Sequence, residues 1–274
     1  MAAVLGTNVA SLWASKNLQT AQSNMADSVE RLSSGLRINR AKDDAAGLGI
    51  ANSLTQQING ANQGVKNLND GISIVQTAEG ALAAASEMAQ RILTLATQGS
   101  NGSMGSTQTA SILSEMSAIL TSINSIQSRT KFSGITLLNA AAITIQASNV
   151  SGDTITIDLG TSLRKIGTAD LAANLNTQVT GSTFSGIITE ANTYITALDT
   201  QRAKLGALQN QMEYAVSNVT EMASNLSAAR SRVIDTDYAS ETASLTKGQI
   251  LQQAATAMLA QANQMPNVIL SLLK

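Results

Sequence analysis

Apolar side chains recur along most of this chain at alternating spacings of four and three, and the single proline, Pro266, lies close to the C-terminus. The longest tract reads Leu54, Ile58, Ala61, Val65, Leu68, Ile72, Val75, Glu79, Leu82, Ser86, Ala89, Leu93, Ala96, with only Glu79 and Ser86 breaking the pattern. A second runs from Ile188 through Ala191, Ile195, Leu198, Arg202, Leu205, Gln209 and Met212 to Val233. Shorter stripes are Leu18, Gln22, Met25, Val29, Leu32, Leu36, then Ile112, Met116, Ile119, Ile123, Ile126, and finally Leu251, Ala255, Met258, Ala262, Met265, Ile269, Leu272. Sustained repeats of this kind place apolar residues along one seam of a helix and favour coiled-coil packing. Without internal proline, no helix over these tracts has to break.

Length then separates a ball from a rod. A compact domain of this size would have a radius of gyration of ~19 Å and a diameter near ~50 Å. A continuous helix over residues 44–98 would be ~80 Å long, and one over 188–233 ~68 Å. The fold expected is therefore mainly α: an elongated coiled-coil helical bundle with a small β-hairpin patch in the middle. A shorter helix at about 108–128 shares its core. Ser33-Ser34-Gly35 offers a helix C-terminus, Asp43-Asp44 suits a helix start, and Gly99-Ser100-Asn101-Gly102-Ser103 lets the chain turn back. Beyond Asn139 the period drops to two. Ile143-Thr144-Ile145 and Thr154-Ile155-Thr156-Ile157 flank Ser151-Gly152-Asp153 as a hairpin, inside a β patch spanning about 130–184.

Composition removes most chemistry. Histidine and cysteine are absent, which excludes disulfides, Cys/His metal sites and His- or Cys-based catalysis. Aromatic residues are 2% of the chain and apolar residues 43%, so burial must come from aliphatic side chains packed closely rather than around a roomy pocket. A net charge of −1 with 13% charged residues gives no basic surface for nucleic acid. No run approaches the ~20 apolar residues of a membrane span. The N-terminus has neither a basic n-region nor a continuous apolar stretch, so no cleavable secretory signal is expected. Asp235-Thr236-Asp237 opens like a calcium loop but lacks the glycine such a loop needs. Gly47-Leu48-Gly49 lacks a third glycine and a preceding strand, and Lys247-Gly248 lacks the phosphate-loop order. The basic run Arg31, Arg37, Arg40, Lys42 sits among Asp27, Glu30, Asp43 and Asp44 and reads as a self-paired junction. No catalytic, cofactor-binding or metal-binding residues emerge; the chain reads as neither an enzyme nor a cofactor protein.

What remains is apolar surface at both ends. A helix over 251–272 is marginal alone, and each Leu or Met gains roughly 1.5–3 kcal/mol only when a partner covers it. The stripe from Leu18 to Leu36 is in the same position. The two ends suit one another and neighbouring copies, so self-assembly is the economical expectation. Its core would be Leu18, Met25, Val29, Leu32, Leu36, Leu251, Met258, Met265, Ile269 and Leu272.

Three segments carry a resemblance: Glu30–Leu54 (ERLSSGLRINRAKDDAAGLGIANSL), Asn67–Leu82 (NLNDGISIVQTAEGAL) and Ser231–Leu273 (SRVIDTDYASETASLTKGQILQQAATAMLAQANQMPNVILSLL). In that order they closely resemble the terminal regions of bacterial flagellins, over about residues 1–140 and 185–274. The resemblance implies an inner coiled-coil domain from residues 1–40 plus 236–274 and a rod domain from 41–235, in a short form without a large variable outer domain. It implies a homopolymeric filament outside the cell for swimming motility, reached through the flagellum's own export channel. The partners implied are further copies of the chain, an export chaperone at the C-terminal segment, filament cap and hook-junction proteins, and Toll-like receptor 5. For that receptor, Gln90–Gln98 resembles the recognised helix, with Arg91, Leu95 and Glu115 at matching contact positions. Leu93 and Thr94 stand where strong activators carry a charged pair. The alternative is a hook–filament junction protein, which shares flagellin-like ends but forms a single ring.

Overall fold

The structure is a computed structural model that describes residues 7–139, 142–158 and 184–272. Its elements are α1 (Val9–Ser34), α2 (Ala45–Gly99), α3 (Ser106–Arg129), β1 (Lys131–Phe132), β2 (Ile135–Thr136), a 3-10 turn at Leu137–Asn139, β3 (Ile143–Gln146), β4 (Thr154–Ile157), α4 (Phe184–Ile234) and α5 (Tyr238–Leu272). The fold is mainly α with small antiparallel strand pairs, as the heptad tracts and the change of period require. The part of the expected β patch at 159–183 lies outside the described residues. The chain forms two compact units, Gln57–Ser224 and the combination of Met1–Gln56 with Asn225–Lys274.

In the unit spanning Gln57–Ser224, α2, α3, α4 and the β3–β4 hairpin close around one core. The expected stripe of α3 supplies Ile112, Met116 and Ile123 to it, and α4 supplies Ala191, Leu198, Leu205, Met212 and Val219. On α2 the buried face is wider than the heptad seam. Ile74, Ala78, Ala85, Ile92 and Leu95 are buried beside Val75, Leu82, Ala89 and Ala96, because this stretch of α2 belongs to a core shared with two helices rather than one. The polar interruptions of the two long stripes meet: Arg202 on α4 pairs with Glu79 on α2 at 3.7 Å. Charged groups at otherwise apolar seam positions pin register, since any slip separates them. Gln201, also buried, donates to the Asp158 carbonyl at 3.0 Å and ties α4 to the end of β4.

The hairpin pairs Ile143 with Ile157 and Gln146 with Thr154, placing Ile145, Ile155 and Ile157 inward. Its far end rests on α2, where Asn67 donates to the Gln146 carbonyl at 3.1 Å. Gly64 makes this approach possible. A Cβ there would collide with the Ala147 carbonyl oxygen, so only a glycine lets the strand end lie against the helix backbone. The small β1–β2 pair turns through Ser133 and Gly134, at φ 49° and 85°, the paired positive values of a tight hairpin turn. The Ser-Gly pair between Phe132 and Ile135 was the available sequence signal for it.

In the other unit, α1 and α5 run antiparallel, with Asn8 donating to the Ala262 carbonyl at 2.7 Å near one end and Arg31 pairing with Glu241 at 3.6 Å near the other. Asn8 also caps α1, accepting from the Ser11 amide at 3.1 Å. Gly35 ends α1 in the left-handed conformation, at φ 72°, and its N–H returns to the Arg31 carbonyl. Beyond it the chain crosses the α4–α5 connection. Arg37 N–H donates to the Ile234 carbonyl at 2.6 Å and Thr236 N–H to the Gly35 carbonyl at 2.9 Å. Ile38, Ala51 and Ile234 form a small core beneath this crossing.

Candidate assembly surface

The seam between α1 and α5 is made of small residues. On α1 the buried positions are Ala14, Ala21 and Ser28, seven residues apart. On α5 they are Gly248, Ala255 and Ala262, with the same spacing. Leu18, Met25, Leu32 and Leu36 are only half-buried beside the seam, and Val29 is exposed. Small residues at every second core position let two helices approach closely, but they leave little apolar area between them.

The larger apolar residues consequently face away. Val9, Leu12, Trp13, Ile250, Leu251 and Met258 are exposed, Trp13 to 62% and Met258 to 65%. Val9, Trp13, Leu251 and Met258, together with Ala10, Ala14, Ala21, Ala254, Ala255 and Ala262, border a groove of about 890 Å³ along both helices. Its few polar contributors are Asn17, Thr20, Asn24 and Gln261; none carries charge. The Lys16 ammonium lies 5.7 Å from the centre of the Trp13 ring. Met265, Ile269 and Leu272 lie on the helical backbone of α5, and their side chains fall outside the described residues. Sequence periodicity thus located the stripes and set Leu251, Ala255, Met258 and Ala262 on one face, and all four border this groove. The structure puts the alanines inside the pair and the two large side chains outside it.

The basic junction is self-paired. Arg40 binds Glu30 at 2.7 Å, Lys42 approaches Asp27 at 3.9 Å, and the Arg37 guanidinium donates to the Val233 carbonyl at 2.6 Å. Asp43 accepts from the Arg40 and Asn39 amides, at 2.9 and 3.2 Å. The Arg40 amide above all, aided by the Asn39 amide and the charges of Lys42 and Arg31, holds its carboxyl below the usual aspartate value, against desolvation, an opposing effect second in size only to the Arg40 amide. Asp44 accepts from the Gly47 amide at 2.9 Å and starts α2. In the Gln57–Ser224 unit, Arg91 and Glu115 form an exposed ion pair at 2.7 Å. Leu95, by contrast, is 2% exposed within the core, so the side chains offered outward at that place are those of Arg91 and Glu115. Among the described residues no group of acidic side chains is placed to hold a metal ion, and no helix is long and apolar enough to cross a membrane.

A pair of long helices with a small-residue seam and an uncovered apolar exterior is built for association with other helices of its kind. This defines the class: a helical, self-associating structural subunit. Comparison with known proteins gives the family. Residues 5–142 match the bacterial flagellin N-terminal helical region, and residues 187–273 match the bacterial flagellin C-terminal helical region. The flagellin of Halalkalibacterium halodurans is 37% identical over 274 aligned residues, covering 99% of this chain and 100% of that one. The flagellin of Bacillus subtilis is 36% identical, covering 97% and 98%. The flagellar filament 33 kDa core protein of Treponema phagedenis is 35% identical, covering 99% and 100%. The crystal structure of Bacillus cereus flagellin aligns at a TM-score of 0.48 with 30% identity, over 60% of this chain and 94% of that one. The chain belongs to the bacterial flagellin family, in a short form. It is a structural protein that polymerises into the flagellar filament, outside the cell that exports it.

Proposed function

We propose that the outward apolar side chains of α1 and α5 are the surface through which the subunit enters its filament. The observation that carries this reading is the division of labour along the helix pair: alanine, serine and glycine inside, Val9, Trp13, Leu251 and Met258 outside. Ordering each backbone residue costs about 1–2 kcal/mol, whereas a buried methyl or methylene returns only ~0.8 kcal/mol. A seam of small residues does not offset that entropy across two helices of this length, and neighbouring subunits supply the missing burial. Ordering of the pair is on this reading coupled to assembly.

The same reading assigns residues 1–40 with 236–274 to an inner layer of the filament and 41–235 to the rod around it. The polymerisation core comprises Leu18, Met25, Val29, Leu32, Leu36, Leu251, Met258, Met265, Ile269 and Leu272. Before assembly the uncovered C-terminal stripe is the surface an export chaperone would shield, during passage through the flagellum's own channel. Cap and hook-junction proteins would meet the same stripes at the filament ends. The exposed Arg91–Glu115 pair supports an incidental contact with Toll-like receptor 5, with Leu95 holding the helix in place rather than projecting. The reading contains no catalytic step.

Hydrogen exchange compared between monomer and filament tests it. Amides across residues 251–264 should exchange rapidly in the monomer and become protected on polymerisation. Strong protection of that stretch before assembly would overturn the coupling.

A further inference from the structure

The chain contains the dipeptide Asn-Gly twice, at Asn59-Gly60 and Asn101-Gly102, in opposite surroundings. Asn59-Gly60 lies inside α2, where each N–H is committed to the carbonyl four residues earlier and the backbone is fixed. The hairpin also covers it: a Cβ on Gly60 would press on the Asn149 side chain. Asn101-Gly102 lies in the exposed turn between α2 and α3. The Asn101 N–H donates to the Gln98 carbonyl, and the Asn101 carbonyl accepts from Met104 N–H, each at 3.2 Å. Its side-chain Oδ1 accepts from the Ser103 N–H at 3.2 Å. Among the described residues the Gly102 N–H has no hydrogen-bond acceptor, and the space beside its Cα is open, with nothing within 4 Å of where a Cβ would stand.

We propose that Asn101 is a site of intrinsic self-modification, converting to aspartate and isoaspartate while Asn59 is spared. The hydrogen bond from the Ser103 N–H to Oδ1 ties the Asn101 carboxamide back to the segment that contains the Gly102 nitrogen. Deprotonated, that nitrogen attacks Cγ. A C–N bond forms, the amide nitrogen leaves as ammonia after taking up a proton, and a five-membered imide results. Water then opens the imide at either carbonyl, giving aspartate or isoaspartate. The Ser103 N–H already points at Oδ1, the oxygen on which negative charge develops during the attack. A donor positioned in advance at such an oxygen lowers the barrier. Holding nucleophile and electrophile together in one turn removes much of the remaining entropic cost.

Each conversion adds one negative charge where none existed. Isoaspartate also inserts a methylene into the main chain between the two helices and moves the carboxylate away from the Ser103 amide. The adjoining cleft, lined by Leu93, Thr94, Thr97, Gln98 and Met104, contains no charged side chain to neutralise it. The charge carried at this turn therefore grows with the age of the subunit.

The test is a time course of the intact folded protein in mildly alkaline buffer, read by peptide mass spectrometry and by enzymatic methylation of isoaspartate. Conversion at Asn101 should outpace that at Asn59 by about tenfold or more, because Asn59 reacts only from locally opened helix. In denaturant the two should converge. Gly102→Ala should slow the reaction at Asn101, since a Cβ crowds the attacking nitrogen, while circular dichroism stays unchanged. Equal rates at the two asparagines in the folded protein, a persistent difference in denaturant, or an unmodified Asn101 would each overturn the proposal.

Discussion

Replacing Met258 by aspartate puts a carboxylate into the groove between α1 and α5 at its most exposed large side chain. In the free subunit Met258 is 65% exposed, so neither the α1–α5 seam nor the core of the other unit relies on it. Full burial of a methionine is worth ~1.5–3 kcal/mol, and about two-thirds of that, ~1–2 kcal/mol, is still to be gained when a neighbour covers this one. Met258→Ala should forfeit most of this gain. At about tenfold per 1.4 kcal/mol, the critical concentration for polymerisation then rises roughly five- to thirtyfold. Met258→Asp adds the cost of desolvating an unpaired carboxylate, several kcal/mol more, and should abolish growth. The assay is light scattering after adding wild-type seeds, with far-UV circular dichroism on the unseeded variants to show that the rod helices, α2 to α4, persist. Growth of the aspartate variant at the wild-type critical concentration, with its helices intact, would refute the assignment of this face.

Gly64→Ala should loosen the β3–β4 hairpin. The added methyl meets the Ala147 carbonyl oxygen, a backbone atom that cannot rotate away. The steric cost of ~1–3 kcal/mol exceeds the ~0.5–1 kcal/mol that alanine returns as a better helix former, so chemical denaturation should show a net loss. Asp43 is held below its ordinary value in the folded chain, so its contribution to stability is fully present above the unfolded pKa. That contribution is lost as pH falls through the lower folded value, because the unfolded chain takes up its proton first. Asp43→Asn should flatten the stability–pH curve below about pH 4, measured by denaturant titration in acid. Tyr194 moves in the opposite direction on the scale, its phenol pushed up from 10.0 to about 12 by burial. Between those values the unfolded chain ionises while the folded one keeps its proton. Stability therefore falls as pH climbs through that window, and Tyr194→Phe should remove the fall.

The identity and extent of the long helices were legible in the sequence because a helix repeats every 3.6 residues regardless of its neighbours. Spacing alone located Leu198, Leu205 and Met212 on one line of α4, and Ile112, Met116 and Ile123 on one line of α3. The hairpin was legible for the same reason, through a period of two around a turn. Spacing could not say how many partners a stripe faces. The second buried row of α2, through Ile74, Ala85 and Ile92, exists because α2 shares its core with both α3 and α4, and only their arrangement reveals it. Nor could it pair Glu79 with Arg202, because a polar residue in a heptad seam is only an interruption until the partner helix sets its own register.

The terminal helices show the limit most clearly. Sequence determined that both ends carry apolar stripes. Tertiary structure decided which half of each stripe is spent inside the subunit. Alanines and glycine occupy the seam because backbones that approach closely leave no room for larger side chains, and Trp13, Leu251 and Met258 are turned outward as a result. Hydrophobicity is a property of each residue and can be read one position at a time. The direction a side chain faces depends on what stands opposite it.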